Sequence, residues 1–226
     1  MRRVLRIGHR GAAGHAPENT LAAIEKGIGL HVDFVEIDLR RTADGALVVL
    51  HDASVNRTTN GRGRIDRLSL NEVRKLDAGN GERIPTLAEA LAAVSARCGL
   101  MLEIKVEGIA RQVVELVQAG WFSGPAIYAS FLHDELRAVR VADPKAALML
   151  LFSRLPQAPV AYATTYEATY VGLRRDTATG HLIDAFHHAG LLVCVYTADR
   201  PGDIRHALSM GVDGVISNVP DRITVA

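Results

Sequence analysis

The 226-residue sequence is poor in cysteine, nearly balanced in charge and free of long apolar runs. Its two cysteines, Cys98 and Cys194, are too few and too far apart for a disulfide framework or a zinc site, and they indicate free thiols in a reducing compartment. The net charge of +1 gives no general field that would attract nucleic acid or an anionic membrane. No apolar run has the length of a membrane span, so stable membrane insertion is not expected.

Targeting and nucleotide-binding signals are missing as well. The first residues, MRRVLRIGHRG, lack the apolar core of a secretory signal, and we therefore expect a cytoplasmic protein. No GxGxxG follows the first strand-like segment, and no GxxxxGK[ST] occurs, so neither type of nucleotide-binding loop is supported. A small-molecule partner is the remaining expectation, and the sequence leaves homo-oligomer formation open.

Eight short apolar segments alternate with helix-like segments along the chain. Strands that are apolar almost throughout are typical of a parallel sheet covered on both faces. Eight such units favour a single-domain α/β fold, the (β/α)8 TIM-type barrel, over an open doubly wound sheet. The predicted strands are residues 4–8, 34–40, 100–105, 126–131, 146–152, 170–173, 191–197 and 212–217.

We predict that residues 1–226 form one barrel domain, with residues 53–85 as a short insertion after the second strand. Hydroxyl and carboxyl side chains mark the expected helix starts. Ser69 is expected to cap a helix that runs to residue 76. Thr86 is expected to cap a helix over residues 87–98, with Gly99 as its end. Asp199 is expected to cap the helix that has Pro201 in its first turn.

The stretch from residue 34 to residue 52 combines acids, a turn and a histidine. Glu36 and Asp38 are two apart on a predicted strand, so they point the same way. Asp44-Gly45 is the dipeptide typical of a two-residue type I′ hairpin. That hairpin pairs positions whose numbers add up to 89 and thus places Asp38 opposite His51. The alternative interpretation is a polar hairpin face that contacts only solvent.

Further charged residues fall at the ends of the first and third predicted strands, where a barrel carries its active site. His9 and Arg10 end the first strand, and Glu103 and Lys105 end the third. Carboxylates that are buried together pay for desolvation and repel one another, and a divalent cation relieves both effects. Three oxygen ligands suit Mg²⁺ or Ca²⁺, whereas zinc more often takes histidine or cysteine.

Arginine and lysine next to a cation make a pocket for a phosphoryl group. Two histidines beside a phosphodiester suggest a general base and a general acid. Simpler interpretations remain for each residue taken alone. His9 is a satisfied core histidine in one of them, and Glu103 with Lys105 is a salt bridge at a strand end in another.

Seven motifs together resemble the glycerophosphodiester phosphodiesterase family. They are HRGAAGHAPENT, VEIDLRRTADGALVVLHD, NRTTNGRG, IPTLAEAL, LEIK, ASF and GVDGVISNVPD, which occur in the family's order over nearly the whole chain. The resemblance implies a TIM-type barrel that hydrolyses glycerophosphodiesters to sn-glycerol 3-phosphate and an alcohol with a divalent metal. Position by position, it implies His9 and His51 as catalytic residues, Glu36, Asp38 and Glu103 as metal ligands, and Arg10 and Lys105 as phosphate contacts.

By the same resemblance, a neighbouring hydroxyl of the glycerol attacks the phosphorus through a cyclic phosphate. His9 is then the base and His51 the acid, and the reverse order stays open. A lysophospholipase D or sphingomyelinase D-like barrel is an alternative enzyme, although it calls for an exposed apolar entry surface. A non-catalytic phosphate-ligand binding barrel is the other alternative, and the intact histidines and acids argue against it.

Two segments depart from the family pattern. Tyr196-Thr197-Ala198-Asp199 stands where the family has a Trp-Thr-Val-Asn-like segment, and Ser217-Asn218 stands in place of Thr-Asp. Both are expected at the barrel mouth, so recognition of the glycerol or the leaving group is expected to differ. Phe131 and Tyr196 are candidate substrate contacts, with core aromatics as the alternative.

Overall fold

The computed structural model describes residues 3–224, and nine strands lie in a single sheet. Every predicted strand is present, with ends that shift by one or two residues. The strands are β1 (Leu5–Gly8), β2 (Phe34–Arg41), β3 (Leu47–Val49), β4 (Gly99–Ile104), β5 (Ala126–Ser130), β6 (Ala147–Phe152), β7 (Tyr170–Arg174), β8 (Leu192–Tyr196) and β9 (Gly214–Ser217).

Eight of these strands close into a parallel barrel. The first strand pairs with both of its neighbours in space, because Ile7 lies in register with Ile216 of β9 and with Phe34 of β2. The remaining parallel pairs run in the order β9, β8, β7, β6, β5, β4 and β2. Only β3 is antiparallel, and it extends β2 outside the ring. The predicted (β/α)8 barrel is therefore confirmed.

The helices lie between the strands and begin mostly where the sequence predicts. They are α1 (Leu21–Gly29), α2 (Leu70–Val73), α3 (Leu87–Val94), α4 (Ala110–Gln118), α5 (His133–Ala142), α6 (Pro159–Thr164), α7 (Gly180–His188) and α8 (Pro201–Ser209). None of the helices within residues 3–224 is both long enough and apolar enough to cross a bilayer. Cys98 and Cys194 are free thiols.

Three predicted helix boundaries are wrong, for identifiable reasons. Helix α3 ends at Val94, because Ser95 adopts a φ of 51°, and Gly99 begins β4 instead of ending the helix. Ser69 caps α2 through a capping box as predicted, but the helix stops at Val73. Asp199 does not cap α8, since Arg200 occupies the N-cap position.

The apolar core has two main parts. One lies between the barrel and its helices, and the other fills the barrel interior. The interior part is built from Ile7, Phe34, Met101, Ile127, Ala129, Met149, Leu151, Cys194 and Ile216. All nine are 8% exposed or less, so side chains fill the barrel interior below its open end, as expected for this fold.

The hairpin after β2 has a register that differs from the predicted one. Leu39 pairs with Val49, and Arg41 pairs with Leu47, so paired numbers add up to 88 instead of 89. The loop has three residues, and Gly45 alone takes a positive φ of 87°. This is the geometry of a turn followed by a left-handed residue. Asp38 O therefore accepts from Leu50 N at 2.9 Å, and the predicted pairing with His51 is wrong.

Residues 53–85 cover the outer side of this hairpin. They contain a 3-10 turn (Ile65–Arg67) and α2, and they share a third small apolar cluster with β3. Val48 and Leu50 of the hairpin belong to this cluster, together with Val55 and Ile65 of the insertion. The insertion thus holds β3, the second strand of the hairpin, against the barrel.

Candidate active site

A cavity of about 220 Å³ opens at the carboxyl end of the barrel strands. One side of it is polar and the other is apolar. Every predicted site residue except Asp38 lines it directly. The polar side carries His9, Arg10, Glu36, His51, Glu103 and Lys105, and the apolar side carries Met101, Ala129, Phe131, Leu151, Tyr196 and Ile216.

Three acids form a buried cluster at the polar side. Glu36 and Asp38 project from the same face of β2 and are 2% and 0% exposed. Asp38 lies in register with Glu103 of the adjacent strand β4. One carboxylate oxygen from each of the three lies within 4.8 Å of the others. Strand alternation and parallel register are thus sufficient to bring the three carboxylates together.

The hydrogen bonds of these acids leave two of their oxygens without a donor. Glu36 accepts from the backbone N of Arg10 at 2.8 Å, and Asp38 accepts from Asn19 Nδ2 at 2.8 Å. Among the described residues, Glu36 Oε1 and Asp38 Oδ1 are buried and accept no hydrogen bond. Asp38 Oδ1 has the Lys105 ammonium 3.4 Å away, whereas neither a hydrogen bond nor an ion pair reaches Glu36 Oε1 within residues 3–224. A buried carboxylate oxygen like that of Glu36 is costly unless it binds a charge. The donor set fits a cation that prefers oxygen, such as Mg²⁺ or Ca²⁺.

The electrostatics of the cluster agree with this fit. Burial raises the pKa of Glu36 well above its ordinary range, and the charges of Asp38 and Glu103 add to the effect. Burial and Asp38 raise the pKa of Glu103 to about 7. Burial also acts to raise the pKa of Asp38, but Lys105 and Arg10 outweigh it and hold that pKa below its ordinary value. The cluster therefore retains protons that a cation would displace.

Arg10 and Lys105 lie among these acids. Lys105 Nζ is 2.5 Å from Glu103 Oε1 and 3.4 Å from Asp38 Oδ1. Arg10 Nη1 donates to Glu18 at 2.7 Å, and its Nε is 3.5 Å from Asp38 Oδ2. Both cationic side chains line the cavity, and carboxylates already hold them in place. A phosphoryl group in the cavity would therefore contact two pre-oriented cations.

Two histidines line the same cavity as the acid cluster. His9 Nε2 lies 4.0 Å from Glu36 Oε2. His51 follows β3, and its Nδ1 lies 2.7 Å from Asp52 Oδ1. Burial lowers the pKa of His9, and the charge of Arg10 acts in the same direction. Burial also lowers the pKa of His51, against the opposing effects of Asp38 and Asp52. Both rings are therefore favoured in the neutral form that can accept a proton.

An ionic network connects Arg10, a predicted phosphate contact, with His51, a predicted catalytic histidine. Sequence reasoning missed this network. Arg57, from the insertion, donates to both oxygens of Glu18 at 2.7 and 2.8 Å. Its Nε also donates to Asp52 Oδ2 at 2.7 Å. Glu18 holds Arg10, and Asp52 holds His51, so Arg57 links the two. Glu18, Asp52 and Arg57 lie within motifs that carry the family resemblance, which was the available signal.

Phe131 and Tyr196 lie together on the apolar side. Their rings make an edge-to-face contact with centroids 6.0 Å apart. Tyr196 also donates its hydroxyl to Phe152 O at 2.8 Å, and Lys105 Nζ lies 5.7 Å from the Phe131 ring centroid. Phe131 is 37% exposed, so this aromatic wall remains open to a ligand. Their role as substrate contacts stays a prediction.

The two segments that depart from the family pattern meet behind His9. Asn218 Oδ1 is 2.7 Å from His9 Nδ1. Asn218 Nδ2 in turn donates to Asp199 Oδ2 at 2.7 Å. Neither residue lines the cavity directly. Sequence reasoning placed both at the barrel mouth but did not predict their contact with each other or with the histidine.

The chain is similar in sequence to known proteins. A glycerophosphodiester phosphodiesterase of Caldanaerobacter subterraneus subsp. tengcongensis is 33% identical over 98% of the chain and 96% of its own length. One of Bacillus subtilis is 31% identical over 97% of the chain and 85% of its own length.

The fold is also that of solved structures. An Oleispira antarctica phosphodiesterase, solved with its product sn-glycerol-3-phosphate, aligns with a TM-score of 0.92 and 29% identity, over 98% of this chain and 95% of that one. Glycerophosphodiester phosphodiesterase from Agrobacterium tumefaciens gives a TM-score of 0.84 and 28% identity over 98% and 99%. Residues 9–222 match the model of the glycerophosphoryl diester phosphodiesterase family, and the chain belongs to that family.

Proposed function

We propose that this phosphodiesterase hydrolyses small glycerophosphodiesters to sn-glycerol 3-phosphate and an alcohol, with Mg²⁺ or Ca²⁺ held by Glu36, Asp38 and Glu103. The observation that carries the proposal is the cluster of three buried acids, two of whose oxygens accept no hydrogen bond, beside two histidines in one cavity. A bound cation would stabilise the negative charge that develops on the phosphoryl oxygens.

The chain's own residues supply binding and proton transfer. Arg10 and Lys105 bind the phosphoryl oxygens, and Phe131 and Tyr196 contact the carbon skeleton of the substrate. One histidine takes the proton from the glycerol hydroxyl next to the phosphoester, and that oxygen attacks the phosphorus. The bond from phosphorus to the alcohol oxygen breaks, and the other histidine protonates the departing alcohol. Water then opens the cyclic phosphate with the proton transfers reversed.

Release of glycerol 3-phosphate from glycerophosphocholine tests the proposal directly. We expect turnover with added Mg²⁺ or Ca²⁺, loss of turnover with EDTA, and recovery when the cation is returned. Activity that chelation leaves unchanged would rule out the metal role. We expect His51→Ala to lower kcat about 10²- to 10⁴-fold, the usual contribution of such a proton transfer. Full turnover by that variant would rule out its acid-base role.

A panel of substrates under each cation separates this function from its alternatives. We expect glycerophosphocholine and glycerophosphoethanolamine to be cleaved faster than lysophosphatidylcholine, because the cavity of about 220 Å³ fits a short polar substrate. Preference for the lipid would favour the lysophospholipase D alternative. Tight binding of glycerol 3-phosphate without turnover of any diester would favour the non-catalytic alternative.

A further inference from the structure

His9 has a partner on the side of its ring that faces away from the cavity. Its Nε2 is directed toward the acid cluster, 4.0 Å from Glu36 Oε2, while its Nδ1 lies 2.7 Å from Asn218 Oδ1. Asn218 directly follows β9, the strand that pairs with β1, at whose end His9 lies. The contact is therefore set by two adjacent barrel strands.

Asp199 fixes the orientation of the Asn218 side chain. A carboxylate only accepts hydrogen bonds, so the group of Asn218 that faces Asp199 Oδ2 at 2.7 Å must be the amide nitrogen. The amide oxygen then faces His9. Asp199 is itself held, because its Oδ1 accepts from Asn218 N at 2.8 Å and from Ser217 Oγ at 3.0 Å.

The same logic continues to the imidazole. An amide oxygen only accepts, so His9 Nδ1 must carry the hydrogen of that 2.7 Å contact. In a neutral imidazole the other nitrogen then has a free lone pair. That nitrogen is Nε2, the one on the cavity side.

We propose that Asn218, oriented by Asp199, is the positioning residue that holds neutral His9 as its Nδ1–H tautomer and so keeps Nε2 free to accept a proton. This proposal rests on the two-histidine function above, in which the family resemblance gives His9 as the base, and adds the residue pair that sets its tautomer. Asn218 acts through His9 and does not touch the substrate.

The partner of His51 differs in charge from the partner of His9. His51 Nδ1 faces a carboxylate oxygen of Asp52 at 2.7 Å, whereas His9 Nδ1 faces an uncharged amide. Both partners only accept hydrogen bonds, so each ring, when neutral, carries its hydrogen on Nδ1. The two positions that depart from the family pattern are hydrogen-bonded to each other. The uncharged Asn218 contacts His9, and the charged Asp199 contacts Asn218.

Nitrogen-15 spectra of histidine-labelled, cation-free protein test the tautomer. The His9 signals are assigned from their loss in His9→Gln, and the spectra are recorded where the ring is neutral. We expect protonated Nδ1 and bare Nε2 in the wild-type protein, and a shift of population toward the Nε2–H form in Asn218→Ala. Unchanged tautomer populations in Asn218→Ala would overturn the proposal.

Kinetics of the cation-loaded enzyme provide the second readout. We expect Asn218→Ala to lower kcat about 10- to 100-fold, the usual range for a partner that orients a functional histidine, with little change in KM. Cation affinity, followed by calorimetry, is expected to stay unchanged. Asn56→Ala, which removes an exposed asparagine of the insertion, is the matched control and is expected to leave kcat unchanged.

A reciprocal exchange separates positioning from simple structural support. Asn218→Asp alone places two carboxylates in contact. Asp199→Asn alone removes the carboxylate that fixes the orientation of the Asn218 amide. We expect the double variant Asp199→Asn/Asn218→Asp to restore the Nδ1–H tautomer and at least about tenfold of the kcat lost in the poorer single variant. A double variant no better than either single one would overturn the proposal. Absence of diester turnover in the wild-type protein would instead reject the proposed function, and the spectra would still decide the tautomer.

Discussion

At the scale of single residues, Arg57 lies outside the cavity but orients two side chains that line it. It holds Glu18 and Asp52, which in turn hold Arg10 and His51. Burial acts to raise the pKa of Glu18, but hydrogen bonds from Arg57 and the charge of Arg10 lower it to about 2, from an ordinary value of 4.5. A carboxylate with a lowered folded-state pKa stabilises the protein above its ordinary pKa. That stability is therefore complete above about pH 4.5 and is lost as the pH falls through 2.

We expect Arg57→Met to lower the free energy of unfolding by about 2 kcal/mol at pH 7, with the deficit shrinking as the pH falls from 4.5 toward 2. Denaturant unfolding at several pH values measures it. Arg64→Met is the matched control, since its partner Asp66 is half exposed and the pair is expected to contribute little, whereas Glu18 and Asp52 are mostly buried. Equal effects of the two substitutions would contradict the role of the Arg57 network.

At the scale of elements, the loop between β1 and α1 positions His9 and Arg10 by packing tightly on the helix. Gly11 has a φ of 89°, and a Cβ there would lie 2.4 Å from the backbone C of Ala23. Its N also donates to Glu36 O at 3.0 Å, which ties the loop to β2. Backbone cannot move aside as a flexible side chain can, so only glycine fits this position.

We therefore expect Gly11→Ala to cost about 3 kcal/mol of stability or more, and to lower kcat in whatever fraction remains folded. Gly29→Ala, at the other end of the same helix, meets no atom within 4 Å and is expected to be neutral or slightly stabilising. Thermal unfolding of the two variants checks this. Comparable losses from both would show that close packing of the loop is not what holds it.

Sequence periodicity was sufficient for the strands and for the three acids, because a strand alternates its faces every two residues. It failed for the hairpin register, since Asp44-Gly45 is compatible with a two-residue and a three-residue loop. It also missed the contacts of Arg57 and Asp199. Those contacts depend on the path of loops between distant strands, which neither periodicity nor capping patterns determine.

At the scale of the whole molecule, the acid cluster makes stability depend on pH and cation together. The pKa of Glu103 is raised to about 7, so the folded protein binds more protons than the unfolded chain between pH 4.5 and 7. In the cation-free protein, its contribution to stability therefore falls as the pH rises through that range. A cation that binds only the folded state adds stability in proportion to the logarithm of its concentration.

The comparison of the wild-type protein with Glu103→Gln isolates this effect. In EDTA, we expect the two to be similar near pH 5 and the variant to be more stable by about 2 kcal/mol at pH 8. With excess Mg²⁺ or Ca²⁺ at pH 8, the order is expected to reverse, because only the wild-type protein keeps all three ligands. Scanning calorimetry measures both conditions. An unchanged order on adding either cation would contradict cation binding by Glu103.

The apolar floor of the cavity is also the top of the packed barrel interior, since Met101, Leu151 and Ile216 belong to both. Replacing one of them by a smaller residue would deepen the binding site and, in the same step, remove atoms from the core. A substitution here that makes room for a bulkier alcohol therefore also lowers the thermal stability of the barrel. An evolutionary lineage that acquires larger substrates through this floor has to recover the lost packing elsewhere, or widen the rim at Phe131 and Tyr196 instead.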